Sequence, residues 1–300
     1  MKIATYNVRN LYDPGTFVSL DDTKGISEEF FNKRIEHFTE LFRPLELDII
    51  CLQEIGGEKG VALIGEALGY NYFFAKPNKR GIRMAVLYKK ELEGTLLCES
   101  VSFGELKIPN IKERGDTDNL APLAQRRDVL VVDMESFHGK KLRIVVFHLK
   151  SLLPEYLEGD DMEHDQNAFT DARLRSIFYK MMELRGLRAF ADTSLDEGRE
   201  LIFLGDFNEH NKGSGVTILT SSNQEERILS DLLASQDGDI TTIFYRGTRL
   251  TFDTILVSQN IKPLVENVHI YNDNLQDYSM LPPETEVVES DHAMVVMTLK

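Results

Sequence analysis

The chain has 300 residues, 42% hydrophobic and 28% charged, a balance that excludes wholesale disorder and fibrous architectures and allows a large buried core. Thirty-four Lys and Arg against 49 Asp and Glu leave a net charge of −15, which argues against a sequence-independent coat on nucleic acid and against adhesion to anionic membranes. No apolar run approaches the roughly 20 residues that span a bilayer, so membrane insertion is not expected.

In chain order, near-continuous Val/Ile/Leu runs predict strands over 2–8, 48–53, 70–75, 84–89 and 94–103. Further strands are predicted over 129–134, 142–147, 200–204, 241–244, 252–257 and 293–299. Helices are expected over 27–42, 60–68 and 169–191, with a short one over 225–233. The first has Ser27 as a candidate N-cap and an apolar stripe of Phe30, Phe31, Ile35, Phe38, Leu41 and Phe42. Residues 13–24, 104–121 and 154–167 read as loops. The last is acidic, and such runs are ordinarily solvated surface. Strands dominate with helices interspersed, no linker divides the chain, and one domain over 1–300 is expected, an α/β sandwich with helices outside. The only cysteines, Cys51 and Cys98, stand in separate apolar runs, which is neither a disulfide framework nor a zinc spacing. Two buried thiols are expected. The opening residues are strand-like rather than a basic start with an apolar stretch, so the cytoplasm is the expected compartment.

The strand runs end on polar residues in a recurring way. Residues 2–7 end on Asn7, 49–54 on Gln53-Glu54, and 144–148 on His148, with Lys150 and Ser151 following. The run through Leu204 ends on Gly205-Asp206-Phe207-Asn208, and Ser290-Asp291-His292 precedes the last strand. Singly, each has an ordinary structural explanation: a turn asparagine, a surface acid, a hydrogen-bonded histidine. Gathered on one rim, they would make an oxygen-rich site for a hard cation, Mg²⁺ or Mn²⁺, with two imidazoles beside it. An anionic substrate of so acidic a chain calls for just such local compensation.

In these motifs, together with Phe147-His148-Leu149-Lys150-Ser151 and the run from Phe252-Asp253 to Ser258, the chain resembles the endonuclease/exonuclease/phosphatase superfamily. That superfamily includes deoxyribonuclease I-like nucleases, apurinic endonucleases, sphingomyelinases and inositol polyphosphate 5-phosphatases. The resemblance runs from residue 2 to residue 300. It implies a four-layered sandwich of two mixed, mostly antiparallel β-sheets flanked by helices, and a metal-dependent hydrolase of phosphate esters.

Residue by residue, the resemblance implies Glu54 as principal metal ligand, with Asn7 as ligand or organiser beside it and Asp291 supporting the metal side. Asp206 would orient and deprotonate the attacking water, and Asn208 would hold the phosphate or the metal's surroundings. His292 would contact the scissile phosphate with Asp253 fixing its tautomer, and His148 would stabilise charge from the other flank. Whether Asp206 or His292 is the base stays open. Lys150 and Arg126, or its neighbour Arg127, are candidate phosphate contacts, whereas Arg173 and Arg175 could face cleft or solvent. A nuclease-type phosphodiesterase acting on DNA or RNA is the leading expectation, and a phosphomonoesterase on an inositol phosphate or lipid headgroup the alternative. A non-catalytic binding module would be marked by loss of Glu54, Asp206 or His292, and all three are present.

Overall fold

The computed structural model describes residues 1–17, 25–103, 105–109, 120–124, 127–161, 163–210, 212–282 and 285–300. The chain starts with β1 (Lys2–Leu11), α1 (Glu28–Phe42), β2 (Ile49–Ile55), α2 (Lys59–Leu68), β3 (Tyr70–Phe74) and β4 (Arg83–Lys89). It continues through β5 (Leu96–Val101), β6 (Glu105–Pro109), β7 (Leu120–Ala124), β8 (Val129–Phe137), β9 (Lys140–His148) and α3 (Gln166–Asp196). The remainder is β10 (Arg199–Asp206), α4 (Ser214–Thr220), β11 (Leu229–Asp231), β12 (Ile243–Tyr245), β13 (Thr248–Leu250), β14 (Asp253–Ser258), β15 (Val265–Tyr271) and β16 (Met294–Leu299).

Two six-stranded sheets form, in the orders β15-β16-β1-β2-β4-β3 and β11-β14-β10-β9-β8-β5. Alternation along β1 shows how they stack. Ile3 enters the core between the sheets with Val146, Leu204 and Val295. Ala4, Tyr6 and Val8 face the other way, onto Phe38 and Phe42 of α1. On the second sheet, Val145 and Phe203 pack outward against Leu184 and Leu187 of α3. The result is helix, sheet, sheet, helix, with a separate apolar layer at each of the three interfaces. Cys51 is buried between the sheets, but Cys98 is only half-buried, because β5 is an edge strand.

The topology puts all the polar strand ends at one rim. β1 and β2 are parallel, as are β9 and β10, so all four C-termini point the same way. The strands that flank them run antiparallel and contribute their beginnings there. Asp253, which opens β14, pairs with Asp206, which closes β10, and β16 runs antiparallel to β1, so His292 just before it lies beside the end of β1.

The helix expected over 225–233 does not form. A single 3₁₀ turn, Glu225–Arg227, gives way to β11, whose backbone pairs with β14 while Leu232 and Leu233 enter the inter-sheet core. The pattern there was apolar without being periodic, and an edge strand satisfied it better. The expected loop over 104–121 holds β6 and part of β7, which pair with each other. α4 and β15 were not foreseen; β15 is a half-exposed edge strand with little apolar signal. α3 starts earlier than expected, at an N-cap from Asp165, whose carboxylate accepts the Asn167 and Ala168 amides.

Candidate active site

The site centres on Asp206, buried at the end of β10. Its Oδ1 accepts the Asn208 amide at 2.6 Å, and its Oδ2 accepts Asn7 Nδ2 at 3.0 Å and Asn208 Nδ2 at 3.1 Å. Oδ2 also lies 3.6 Å from His148 Nε2 and 4.0 Å from His292 Nε2. Asn7 Nδ2 donates in addition to Glu54 Oε1 at 3.2 Å, while its own oxygen accepts the Arg9 amide. Asn7 therefore orients two carboxylates. Asn208 spends Nδ2 on Asp206 and on the Leu149 carbonyl, so it too orients the carboxylate.

Local backbone geometry aims these groups. Strict alternation after the inward-facing Gln53 would send Glu54 to the helix side of the sheet. Instead β2 is irregular against both neighbours here, Glu54 takes φ of 62°, and its carboxylate stands in the cleft, 3.7 Å from His148 Nε2. Asn208 has φ of 51°, a conformation asparagine tolerates better than most residues. Gly205 has φ of 146°, and a Cβ there would fall 1.9 Å from the Phe147 carbonyl oxygen of the adjoining strand. Gly205→Ala would prise β10 from β9 just where they present Asp206 and His148. A loss of about 3 kcal/mol or more is expected in urea unfolding.

Burial and charge separate the titrating groups. Burial, together with the nearby Asp253 and Glu54 carboxylates, pushes Asp206 up to about 7, against the pull of His292. Burial opposes charge on His292, yet Asp253 and Asp206 outweigh it and hold the imidazole protonated well above its ordinary range. The Asp253 carboxylate accepts from His292 Nδ1 at 2.8 Å. His148 goes the other way: burial, then the Arg127 and His292 charges, keep it neutral.

Other sequence-predicted residues take different places. Asp291 lies 3.8 Å from Arg9 Nε, outside the Glu54–His148–Asp206 grouping. Lys150 turns its ammonium onto its own loop, toward the Ser151 carbonyl at 3.1 Å and Glu155 at 3.7 Å. Arg127 donates to the His148 and Leu149 carbonyls, both at 2.9 Å, and so braces the strand end. Arg126 lies outside the described residues. Arg173 is exposed, and Arg175 pairs with Asp160 and the Glu155 carbonyl, tying down the acidic loop.

Sequence reasoning missed several supports. Arg34, buried on α1, donates to the Val8, Asn10 and Val288 carbonyls and ties together the segments bearing Asn7 and His292. Ser290 Oγ donates to the Asn7 carbonyl at 2.6 Å and accepts the His292 amide. The Asn10 amide donates to Glu54 Oε2. A charged residue within an apolar helical stripe was the one legible signal, at Arg34.

Donor atoms of Glu54, His148 and Asp206 all lie within 4.8 Å of one another. Two crowded carboxylates and a neutral imidazole fit a divalent cation, which would relieve the repulsion that raises Asp206. Binding must then expel the Asp206 proton. With that carboxyl near 7, affinity for Mn²⁺ is expected to be about 30-fold weaker at pH 5.5 than at pH 8. Calorimetric titration at the two pH values checks this, and a flat profile would remove Asp206 from the cation site.

The profile of the Endonuclease/Exonuclease/phosphatase family matches residues 4–292. Comparison with curated proteins gave no match. Among solved structures, a humanized D. rerio TDP2 is 16% identical with a TM-score of 0.59, covering 100% of this chain and 98% of that one. The 3′ phosphatase NExo from Neisseria, bound to a product DNA hairpin, is 17% identical with a TM-score of 0.58, covering 100% and 99%. A mannosyl-6-phosphatase of Bacteroides thetaiotaomicron is 16% identical at 0.58, covering 100% and 99%. These likenesses establish the four-layered fold, and the profile match spans every residue of the cluster around Asp206: the chain belongs to the endonuclease/exonuclease/phosphatase family of phosphoesterase hydrolases.

Proposed function

We propose that the protein is a Mg²⁺- or Mn²⁺-dependent phosphodiesterase of nuclease type that cleaves the P–O bond by direct attack of water. The observation that carries this reading is geometric: donor atoms of Glu54, His148 and Asp206 lie within 4.8 Å of one another, and His292 Nε2 stands 4.0 Å from Asp206 Oδ2 with Asp253 on its other nitrogen. Asp206, oriented by Asn7 and Asn208, takes the proton of the water. His292, kept cationic by Asp253, donates through Nε2 to a phosphoryl oxygen as charge develops there. His148, neutral, donates from the opposite flank. Glu54 and Asp206, with His148 beside them, would hold a divalent cation, which would supply Lewis-acid stabilisation of the phosphoryl oxygens. The water oxygen bonds to phosphorus as the ester P–O bond breaks, the leaving oxygen takes its proton from solvent, and Asp206 returns its proton to solvent, so the reaction closes without a covalent intermediate.

The preference for a diester has its own support. Among the structural neighbours NExo is both a 3′-5′ exonuclease and a 3′ phosphatase bound to a product DNA hairpin, which supports nucleic acid as the substrate class. The net charge of −15 and the mannosyl-6-phosphatase neighbour favour the second reading, a phosphomonoesterase on a small soluble ester. Among the described residues no helix is long and apolar enough to cross a membrane.

The deciding assay is metal-dependent release from bis-p-nitrophenyl phosphate, p-nitrophenyl phosphate, single- and double-stranded DNA, RNA and inositol phosphates. Diester or nucleic-acid cleavage is expected in Mg²⁺ or Mn²⁺. Release from monoesters alone would overturn the diester reading in favour of the phosphomonoesterase.

A further inference from the structure

Helix α3 buries charge where packing alone calls for none. Its inward row includes Ala172, Ser176, Lys180, Glu183 and Leu187, spaced by three or four residues. The Lys180 side chain has no exposed surface. Burying an ammonium costs several kcal/mol before its partners compensate, and a methionine would fill similar space without that cost.

The partners are the backbone of the active-site loops. Lys180 Nζ donates to the Asn208 carbonyl at 3.0 Å and pairs with Glu209 Oε2 at 3.1 Å. Glu209 is itself confined, since its carboxylate occupies the space a Cβ would need at Gly213 and at Gly215, and its Oε1 accepts the Gly215 amide. One turn along α3, Glu183 accepts the Lys150 amide at 2.7 Å. Two adjacent side chains of one helix thus grip the loop after β10 and the loop after β9. Between those loops, Asn208 Nδ2 reaches the Leu149 carbonyl and the Leu149 amide donates to the Asp206 carbonyl.

We infer that Lys180 is a positioning residue for hydrolysis: through the Asn208 carbonyl it holds that residue in the left-handed turn from which Nδ2 fixes Asp206 Oδ2. The inference rests on the phosphoesterase reading above and adds to it a residue remote from the reacting atoms. The competing explanation is that Lys180 serves only the ion pair with Glu209.

A pair of double variants separates the two. Lys180→Met with Glu209→Gln, and Lys180→Gln with Glu209→Gln, both abolish the ion pair and leave no unpaired buried charge. They differ in whether a donor to the Asn208 carbonyl remains. With bis-p-nitrophenyl phosphate and Mn²⁺, the Met/Gln protein is expected to lose about 10-fold or more in kcat with KM within about twofold, and the Gln/Gln protein to stay within about threefold of wild type. Similar unfolding midpoints for the two are expected. Equal kcat in the two variants, or parallel collapse of both in stability and rate, would overturn the positioning role. Crystal structures of both give a readout independent of turnover. If wild type hydrolyses nothing on the panel, the phosphoesterase reading fails by itself. Positioning is then decided by whether Asn208 leaves its φ of 51° in the Met/Gln protein, and an unmoved Asn208 would reject it.

Discussion

Asp206→Asn is expected to lower kcat for diester hydrolysis by about 10²- to 10⁴-fold, the usual range for removing a positioned general base. The substitution keeps shape and removes charge, so the protein should stay folded. Two opposing effects bear on its stability. The carboxylate is accepted on both oxygens, from the Asn208 amide on Oδ1 and from Asn7 and Asn208 side chains on Oδ2. An asparagine must turn its NH₂ toward one of those donors, at about 1–3 kcal/mol. Against this, it relieves a buried group whose charge burial and Asp253 oppose. The relief is full above pH 7, shrinks as pH falls below it, and vanishes only near the ordinary carboxyl range, where Asp206 is protonated in the folded and unfolded chain alike. The melting temperature of the metal-free variant relative to wild type should therefore improve as pH rises from 5.5 to 8. Near-normal turnover by this variant would exclude Asp206 as the base.

Much of this site was legible because chemistry constrains the strand ends more tightly than it constrains the helices. Glu54, His148 and Asp206 close runs of buried Val, Ile, Leu and Phe, Asn7 stands in a buried stretch of β1 and His292 just before the buried run of β16, and a polar residue bounding such a run has few places to go but the rim. The sandwich was legible for the same reason, since strands covered on both faces leave continuous apolar runs. The bulge that brings Glu54 into the cleft left no trace in the sequence, because it depends on register against two neighbours rather than on residue type. Arg127 and Lys150 show what a reading of side-chain types leaves out. A cation near a catalytic motif suggests a phosphate contact, yet both are directed at backbone carbonyls. Backbone groups are invisible to a reading of side-chain types, and the same blindness hid Lys180, Glu183 and Arg34, whose partners are main-chain atoms of distant loops. Those three tie helices α1 and α3 to the segments that carry Asn7, Asn208 and Lys150.

Asp253→Asn is expected to reduce kcat about 10²- to 10³-fold near neutral pH, the range for losing one charged stabiliser of the developing oxyanion. Asp253 is fully buried, its amide is held by Thr242 Oγ1, and its Oδ2 meets His292 Nδ1 at 2.8 Å. An asparagine can still present its oxygen to Nδ1–H, so the ring stays in place and KM should change little. What is lost is charge. Asp253 is the foremost of the groups that raise His292, and without it burial drives the imidazole toward neutrality, leaving Nε2 a bare acceptor where a donor is required. The sign follows for the pH profile: activity that needs cationic His292 disappears as pH rises through its pKa, so lowering that pKa moves the alkaline limb of kcat to lower pH. Asp206→Asn removes the acid limb instead. A profile for Asp253→Asn that falls in height with its alkaline limb unmoved would mean that Asp253 only orients the ring, and that the charge on His292 is not what stabilises the phosphoryl oxygens.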